Sequence, residues 1–419
     1  MSKFMISGGR KLHGEILVHG AKNGVLPLLS AVYLCRGQSI IHNCPKLSDV
    51  DVSLKILEHL GCKYTWHGST VIIDSSNSDI SDIPECLMHQ MRSSIVFLGA
   101  LLAKTGKASI SLPGGCELGP RPIDIHVDAL EKLGAEVDCC GGILKCVTPG
   151  GIKGADIHLK FPSVGATENI ILAATLGHGT TVISNAAKEP EIEELILFLN
   201  NAGADIKGGG SDTVTINGVN ELHGVEFTVM PDRIIAATCM LAVAACNGHI
   251  SIKNAVPEHV APIISCLKNG GCEVDFSEKG LILKSNSRQR NFDTVISQPY
   301  PGFPTDAGPQ LVAMSSVCKG TGVFIENIFD SRFRYIDELK RMGADIKTVD
   351  RVAVITGVKS LDGTKVFAHD LRGGAALTVA AMAANGVSYV ENIEYIDRGY
   401  EKAEDIFGSL GADIKRIQE

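Results

Sequence analysis

Four basic residues stand where apolar helical stretches begin: Lys22, Arg92, Arg233 and Arg372. A cation there faces the positive end of the helix macrodipole, at a cost of roughly 0.3–1 kcal/mol each. A solvated side chain accounts for one such residue; four in homologous places ask for another cause. A bound anion reverses the sign, because helix termini and cations then stabilise it together. In an acidic chain, that pattern points to a small polyanionic substrate. A second constellation is the run Pro113-Gly114-Gly115-Cys116-Glu117-Leu118-Gly119-Pro120-Arg121-Pro122. Glycines and prolines let such a loop move as a body. A nearby arginine lowers the thiol pKa and makes Cys116 a reactive thiolate, although a lone loop cysteine is also found without any role. Third is Phe-Pro-Thr-Asp-Ala-Gly at 303–308. Thr305 or Asp306 makes a good helix N-cap; the alternative is a carboxylate set among cations, available as a base. Arg332 and Arg398 occupy strand-to-helix loops of the same kind as the cysteine loop.

These residues ride on a repeated frame. A short phrase recurs six times, and its glycines are Gly61, Gly134, Gly203, Gly271, Gly343 and Gly411, separated by 73, 69, 68, 72 and 68 residues. The chain is therefore six copies of one unit. Each copy opens with an apolar helical stretch (22–35, 91–104, 165–176, 232–246, 305–318, 371–384). Each stretch leads to a glycine that suits a C-cap: Gly37, Gly106, Gly179, Gly248, Gly320 or Gly386. A β-branched strand follows, usually ending at asparagine (Asn43, Asn185, Asn254, Asn327, Asn392). In the second copy Pro113 takes that place, and the loop after it is three residues longer. An amphipathic helix then runs to the repeat glycine, and two strands complete the unit. The last copy lacks its final strand, and the opening Lys-Phe-Met-Ile-Ser is a strand without a helix, so the amino terminus is expected to complete it. The prediction is an inside-out α/β barrel fold of two similar domains, each of three βαβαββ-like units. The first domain is 22–229, with a mobile cysteine loop at about 112–122. The second is discontinuous, 1–21 plus 230–419. A helix apolar nearly all round belongs inside, and the amphipathic one outside.

Composition excludes several classes. Lys plus Arg is 39 against 47 for Asp plus Glu, a formal charge of −8, which argues against nucleic acid as partner. No apolar run of 18 residues exists to insert in a membrane, and the amino terminus lacks the apolar core of a signal peptide. Thirteen cysteines without a C-x-x-C pair or metal-ligand spacing suit reduced thiols of a cytoplasmic protein, several buried on helix faces (Cys35, Cys239, Cys246, Cys318).

The motifs resemble those of the UDP-N-acetylglucosamine 1-carboxyvinyltransferase family, the enolpyruvyl transferases of early peptidoglycan synthesis. The residues that carry the resemblance are Gly-Ala-Lys-Asn (20–23), Met-Arg-Ser-Ser (91–94), the cysteine loop (113–122), Pro-Ser-Val-Gly-Ala-Thr (162–167), Asn-Ala-Ala-Lys-Glu-Pro-Glu-Ile (185–192), Pro-Asp-Arg-Ile (231–234), Phe-Pro-Thr-Asp (303–306), Arg-Phe (332–333), Asp-Leu-Arg (370–372) and Ile-Asp-Arg-Gly-Tyr (396–400). They run end to end and in order, and the cysteine loop is the most specific. The resemblance implies a two-domain inside-out α/β fold and, without metal or cofactor, transfer of enolpyruvate from phosphoenolpyruvate to UDP-N-acetylglucosamine. It implies Lys22, Arg121 and Arg398 near the phosphate, and Arg332 and Arg372 near the carboxylate. Cys116 is the implied proton donor, open to alkylation by the epoxide fosfomycin, and Asp306 takes or orients the hydroxyl proton. The nucleotide sugar is expected at Asn23, Arg92, Arg121, Pro122, Ile123, Asp124, Ile125, Ser163, Val164, Gly165 and Ile328, with Glu189 steadying the closed arrangement.

Two places depart from the family's commonest pattern. Ile235 replaces an acidic residue, and Ala307-Gly308-Pro309 replaces a Met-Gln-rich turn. They leave open a diverged second copy of the enzyme. Other readings are a shikimate-type enolpyruvyl transferase, against which the cysteine loop argues, a non-catalytic nucleotide-sugar-binding protein, and a repeat scaffold for protein partners. Whether identical copies assemble into a homo-oligomer is not legible from the sequence.

Overall fold

A computed structural model describes residues 2–112, 123–277 and 280–418. They divide into two compact units, 20–230 and 2–19 with 231–418. Each has its own apolar core. At the centre of the first lie helices Lys22–Leu34, Phe97–Thr105 and Val164–Thr175, packed on one another. Arg233–Cys246, Gly308–Ser315 and Leu371–Ala383 do the same in the second. These helices are buried on nearly every side, as their all-round apolar sequences require. Small residues let them approach closely: a Cβ on Gly99 would lie 2.3 Å from the Asn169 carbonyl oxygen. Their carboxyl ends gather unpaired carbonyls and the negative ends of the dipoles, and a cation answers in each unit. Lys104 Nζ donates to the Tyr33 carbonyl at 2.6 Å. Arg288 donates to the carbonyls of Val317 and Cys318 at 2.7 and 2.6 Å.

Around the helices, the described strands form six four-stranded sheets, three per unit, and one two-stranded pair. Each four-stranded sheet couples an antiparallel set of three strands to a parallel strand from a neighbouring copy. Glu226–Thr228, from the third copy, pairs parallel with Gln38–His42 of the first. In the last sheet the amino-terminal strand Ser2–Ser7 lies between Val387–Glu391 and Asp413–Gln418, antiparallel to both. Strand burial alternates, as in Thr70–Asp74, so one face of each sheet covers the helices.

The repeat glycines have one cause. All six follow an amphipathic helix with φ between +85° and +111°. In each copy the glycine N–H returns to the carbonyl three residues back, and the next N–H to the one five back, at 2.9–3.1 Å. That is the Schellman pattern, and only glycine enters it without a steric cost. The first set of glycines behaves differently from the expectation. Only Gly106 caps its core helix; the others, also at positive φ, sit two or more residues beyond the helix end, in the turn to the strand or, for Gly248, at the strand's first residue. Two core helices also begin more tightly than predicted, with 3₁₀ turns at Arg92–Val96 and Thr305–Ala307.

The asparagines tie the parallel strand to the rest of its own sheet. Asn43, Asn185, Asn254 and Asn392 each donate a side-chain N–H to the neighbouring parallel segment, at Val229, Leu159, Val18 and Ala368. Each is the sixth residue after its glycine. In the fifth copy that position is Glu326, and Asn327 is displaced by one.

Candidate active site

In the unit of residues 2–19 and 231–418, the turn Thr305–Ala307 presents Asp306 to two arginines. Arg332 Nη2 lies 2.7 Å from Asp306 Oδ1, and Arg372 Nη2 lies 2.9 Å from Oδ2. Both arginine side chains are almost fully buried, at 2% and 4% exposure. Arg332 also donates to the Thr305 carbonyl at 3.0 Å. Each has a buried donor to spare: Arg332 Nε and Arg372 Nη1 find no hydrogen-bond partner among the described residues. Burial alone would push the Asp306 carboxyl up. The Arg372 and Arg332 guanidiniums outweigh it and hold the group well below the usual carboxylate range. Buried ion pairs of this kind are costly to build, so two arginines around one carboxylate, with donors unused, suit a site that accepts a further anion.

The helix caps explain how the arginines are aimed. Asp370 accepts from the backbone N–H groups of Arg372 and Gly373, fixing Arg372 in the first turn of its helix. Tyr400, from the Ile-Asp-Arg-Gly-Tyr motif, lies under the Arg372 guanidinium at 6.0 Å. Its hydroxyl is held by Thr238 at 2.8 Å and Gln310 at 3.2 Å. Arg398, two residues earlier, is half-buried at the end of helix Glu394–Asp397. Ile328 is half-buried in the loop that leads to Arg332. Asp232 caps the helix of Arg233 through Ile234 and Ile235. The unusual Ile235 is fully inside the apolar core. Gly308 also finds a reason, since a Cβ there would meet the Phe324 ring at 2.5 Å.

In the unit of residues 20–230, Lys22 Nζ pairs with Asp49 at 2.6 Å, both nearly buried. A second corner forms around His126. Asn169 donates to His126 Nδ1 at 2.8 Å and to the Ile95 carbonyl at 3.0 Å, while its oxygen accepts from Gly99. The imidazole proton is thereby assigned to Nε2. Burial, and then the charge of Arg92, push this imidazole down to about 4, against the pull of Asp124. It is neutral at physiological pH. A Cβ on Gly165 would lie 3.2 Å from the same ring. So Arg92, Asp124 and Gly165 converge on His126, with Ile123 capping the helix that carries it, Ile125 beside it, and Ser163 capping the helix of Val164 and Gly165. Glu189 caps helix Pro190–Asn201 and is almost buried. Asn23 follows Lys22 in its helix and is half-buried. Cys116, Arg121 and Pro122 lie outside the described residues.

Asp49, His126 and Glu326 escaped the sequence reading. A histidine four residues past the cysteine loop carries no spacing signal of its own. Asp49 reads as an ordinary first-turn acid, and Glu326 is masked by the asparagine beside it.

Residues 6–407 match the EPSP synthase (3-phosphoshikimate 1-carboxyvinyltransferase) family. The chain is 51% identical over 417 residues to UDP-N-acetylglucosamine 1-carboxyvinyltransferase 2 of Caldanaerobacter subterraneus subsp. tengcongensis, covering 100% of each. It is 44% identical over 417 residues to UDP-N-acetylglucosamine 1-carboxyvinyltransferase 1 of Carboxydothermus hydrogenoformans, covering 100% of this chain and 99% of that one. Among solved structures, the enolpyruvyl transferase NikO from Streptomyces tendae superposes with a TM-score of 0.88 at 23% identity, over 100% of this chain and 99% of that one. That likeness establishes the two-domain inside-out α/β fold. With a full-length sequence match and this constellation of cations around Asp306, the chain belongs to the EPSP-synthase family of enolpyruvyl transferases, on the branch of the UDP-N-acetylglucosamine 1-carboxyvinyltransferases.

Proposed function

We propose that the protein transfers the enolpyruvyl group of phosphoenolpyruvate to the 3-hydroxyl of UDP-N-acetylglucosamine, releasing phosphate, as the first committed step of peptidoglycan synthesis in the cytoplasm. The names of relatives 51% and 44% identical along the whole chain support that substrate pair. The observation in the site that carries the reading is Asp306 held between Arg332 and Arg372, whose remaining donors are unspent. It is a carboxylate already seated on a carboxylate-binding pair.

The roles follow. Lys22, Arg121 and Arg398 bind the phosphate, and Arg332 and Arg372 the carboxylate, of phosphoenolpyruvate. Asn23, Arg92, Arg121, Pro122, Ile123, Asp124, Ile125, Ser163, Val164, Gly165 and Ile328 bind the nucleotide sugar, with Glu189 steadying the bound state. The Cys116 thiol gives its proton to the methylene carbon of the enol. The sugar oxygen bonds to the adjacent carbon, and Asp306 takes the hydroxyl proton. The resulting ketal returns a methyl proton to the Cys116 thiolate as its bond to the phosphate oxygen breaks; the departing phosphate takes the bonding electron pair and the proton held by Asp306, and the enol ether and phosphate remain. Asp306 cannot accept a proton while two arginines hold it. When the substrate carboxylate takes over Arg332 and Arg372, Asp306 loses their charge and becomes basic at the moment a base is needed. The test is acceptor choice. Phosphate release should require both phosphoenolpyruvate and UDP-N-acetylglucosamine. Release with shikimate 3-phosphate as acceptor instead would put the protein with the other branch of the family.

A further inference from the structure

The fifth copy breaks the repeat at Glu326, which stands where four other copies have an asparagine tie. Its carboxylate is buried, at 1% exposure, and fully engaged. Oε1 accepts from the Ser297 hydroxyl at 2.8 Å and from the backbone N–H groups of Ile328 and Phe329 at 2.8 and 3.1 Å. Ser297 Oγ in turn accepts the Asn327 N–H at 2.8 Å. Oε2 accepts from the Thr305 hydroxyl at 2.8 Å. An asparagine supplies one acceptor oxygen and cannot serve all these donors. Four donors on one carboxylate form a rigid hub, since hydrogen bonds to a charged acceptor are the stronger kind.

The hub closes a ring. Glu326 holds Thr305 by its hydroxyl, and Arg332 holds the same residue by its carbonyl and the next by its carboxylate. The loop that Glu326 organises, from Asn327 to Phe329, leads directly into Arg332. When a substrate carboxylate draws Arg332 away from Asp306, one of these two holds is weakened, and the Glu326 hold remains. We infer that Glu326 is a positioning residue: through Thr305 it fixes the turn that carries Asp306, so that the carboxylate changes partner without the turn shifting. This rests on the reading of Asp306 as the base. A misplacement of about 1 Å at such a group is costly to turnover.

The experiment compares the full-length protein with Thr305→Val, Thr305→Ser and Glu326→Gln, following phosphate release from phosphoenolpyruvate and UDP-N-acetylglucosamine alongside thermal unfolding. Thr305→Val keeps the shape and removes only the bond to Oε2. It should lower kcat by about ten- to a hundredfold, on the scale of a displaced general base, while KM for the nucleotide sugar stays within about twofold. Thr305→Ser restores the hydroxyl and should recover most of the loss. Glu326→Gln retains an acceptor for Ser297 and the two loop N–H groups, and its amide can donate to the Thr305 hydroxyl, so its loss should be smaller than that of Thr305→Val. A Thr305→Val enzyme with parental kcat, or a loss that serine does not recover, overturns the proposal. If the unsubstituted protein releases no phosphate from this pair, the functional reading itself is wrong and the proposal falls with it.

Discussion

At the scale of single residues, the protein uses burial to sort groups of one type into different roles. Of the described cysteines, Cys35, Cys239, Cys246, Cys266 and Cys318 are pushed up to about 12 by burial. Cys62, Cys146 and Cys272 are pushed up to about 11. Such thiols react slowly. Cys86, Cys139 and Cys140 are exposed and compete for any reagent. Cys116 should still be labelled first by a sub-stoichiometric electrophile, because Arg121 favours the thiolate and the flanking glycines favour access to it. Peptide mapping against residual phosphate release decides it. Activity lost while one of the three exposed thiols carries the label would remove Cys116 from its role. The carboxylates are sorted in the same way. Asp306 is held ionised by two arginines, whereas Glu168, buried near Glu191 and Glu189, is pushed well above the usual range.

At the scale of elements, Glu194 shows how a helix is set against its neighbours. Its Oε1 accepts the Met230 N–H at 2.6 Å, where the chain leaves the 20–230 unit. Its Oε2 lies where a Cβ on Gly24 would sit, two residues past Lys22. Burial raises this carboxyl to about 8, with Glu191 adding to the shift and the Met230 N–H opposing it. Between pH 4.5 and 8 the unfolded chain therefore gives up this proton and the folded chain keeps it. Stability falls as pH rises through that window. Glu194→Gln removes the effect. The unfolding free energy of the variant relative to the parent should grow by roughly 3 kcal/mol from pH 4 to pH 7. Equal differences at the two values would mean that Glu194 ionises normally. None of this was legible in the sequence, where Glu194 is one of several acids on an amphipathic helix. What was legible follows from local physics. The six Schellman glycines, the small-residue core helices and the cations at their starts depend on their own neighbours. The partners Asp306 and Arg372, or His126 and Asn169, are set by tertiary packing across dozens of residues. The core-helix glycines were misread because several suit a turn just past the helix as well as a C-cap.

At the scale of the whole molecule, the repeat supplies the frame, and its breaks supply the chemistry. Six copies share the glycine turn, while the lengthened loop at Pro113–Pro122, the Asp306 turn and the Glu326 hub occur in one copy each. Among the described residues no helix is long and apolar enough to cross a membrane. The central claim is addition followed by elimination: a proton enters the enol carbon, and a methyl proton later leaves it. Reaction of phosphoenolpyruvate with UDP-N-acetylglucosamine in deuterated water, with the product read by mass spectrometry and proton NMR, tests this most directly. The account predicts one phosphate per nucleotide sugar consumed and a 3-O-enolpyruvyl ether carrying deuterium on its vinyl carbon. A product whose vinyl carbon holds only protium, or phosphate released while the nucleotide sugar is recovered unchanged, would contradict it.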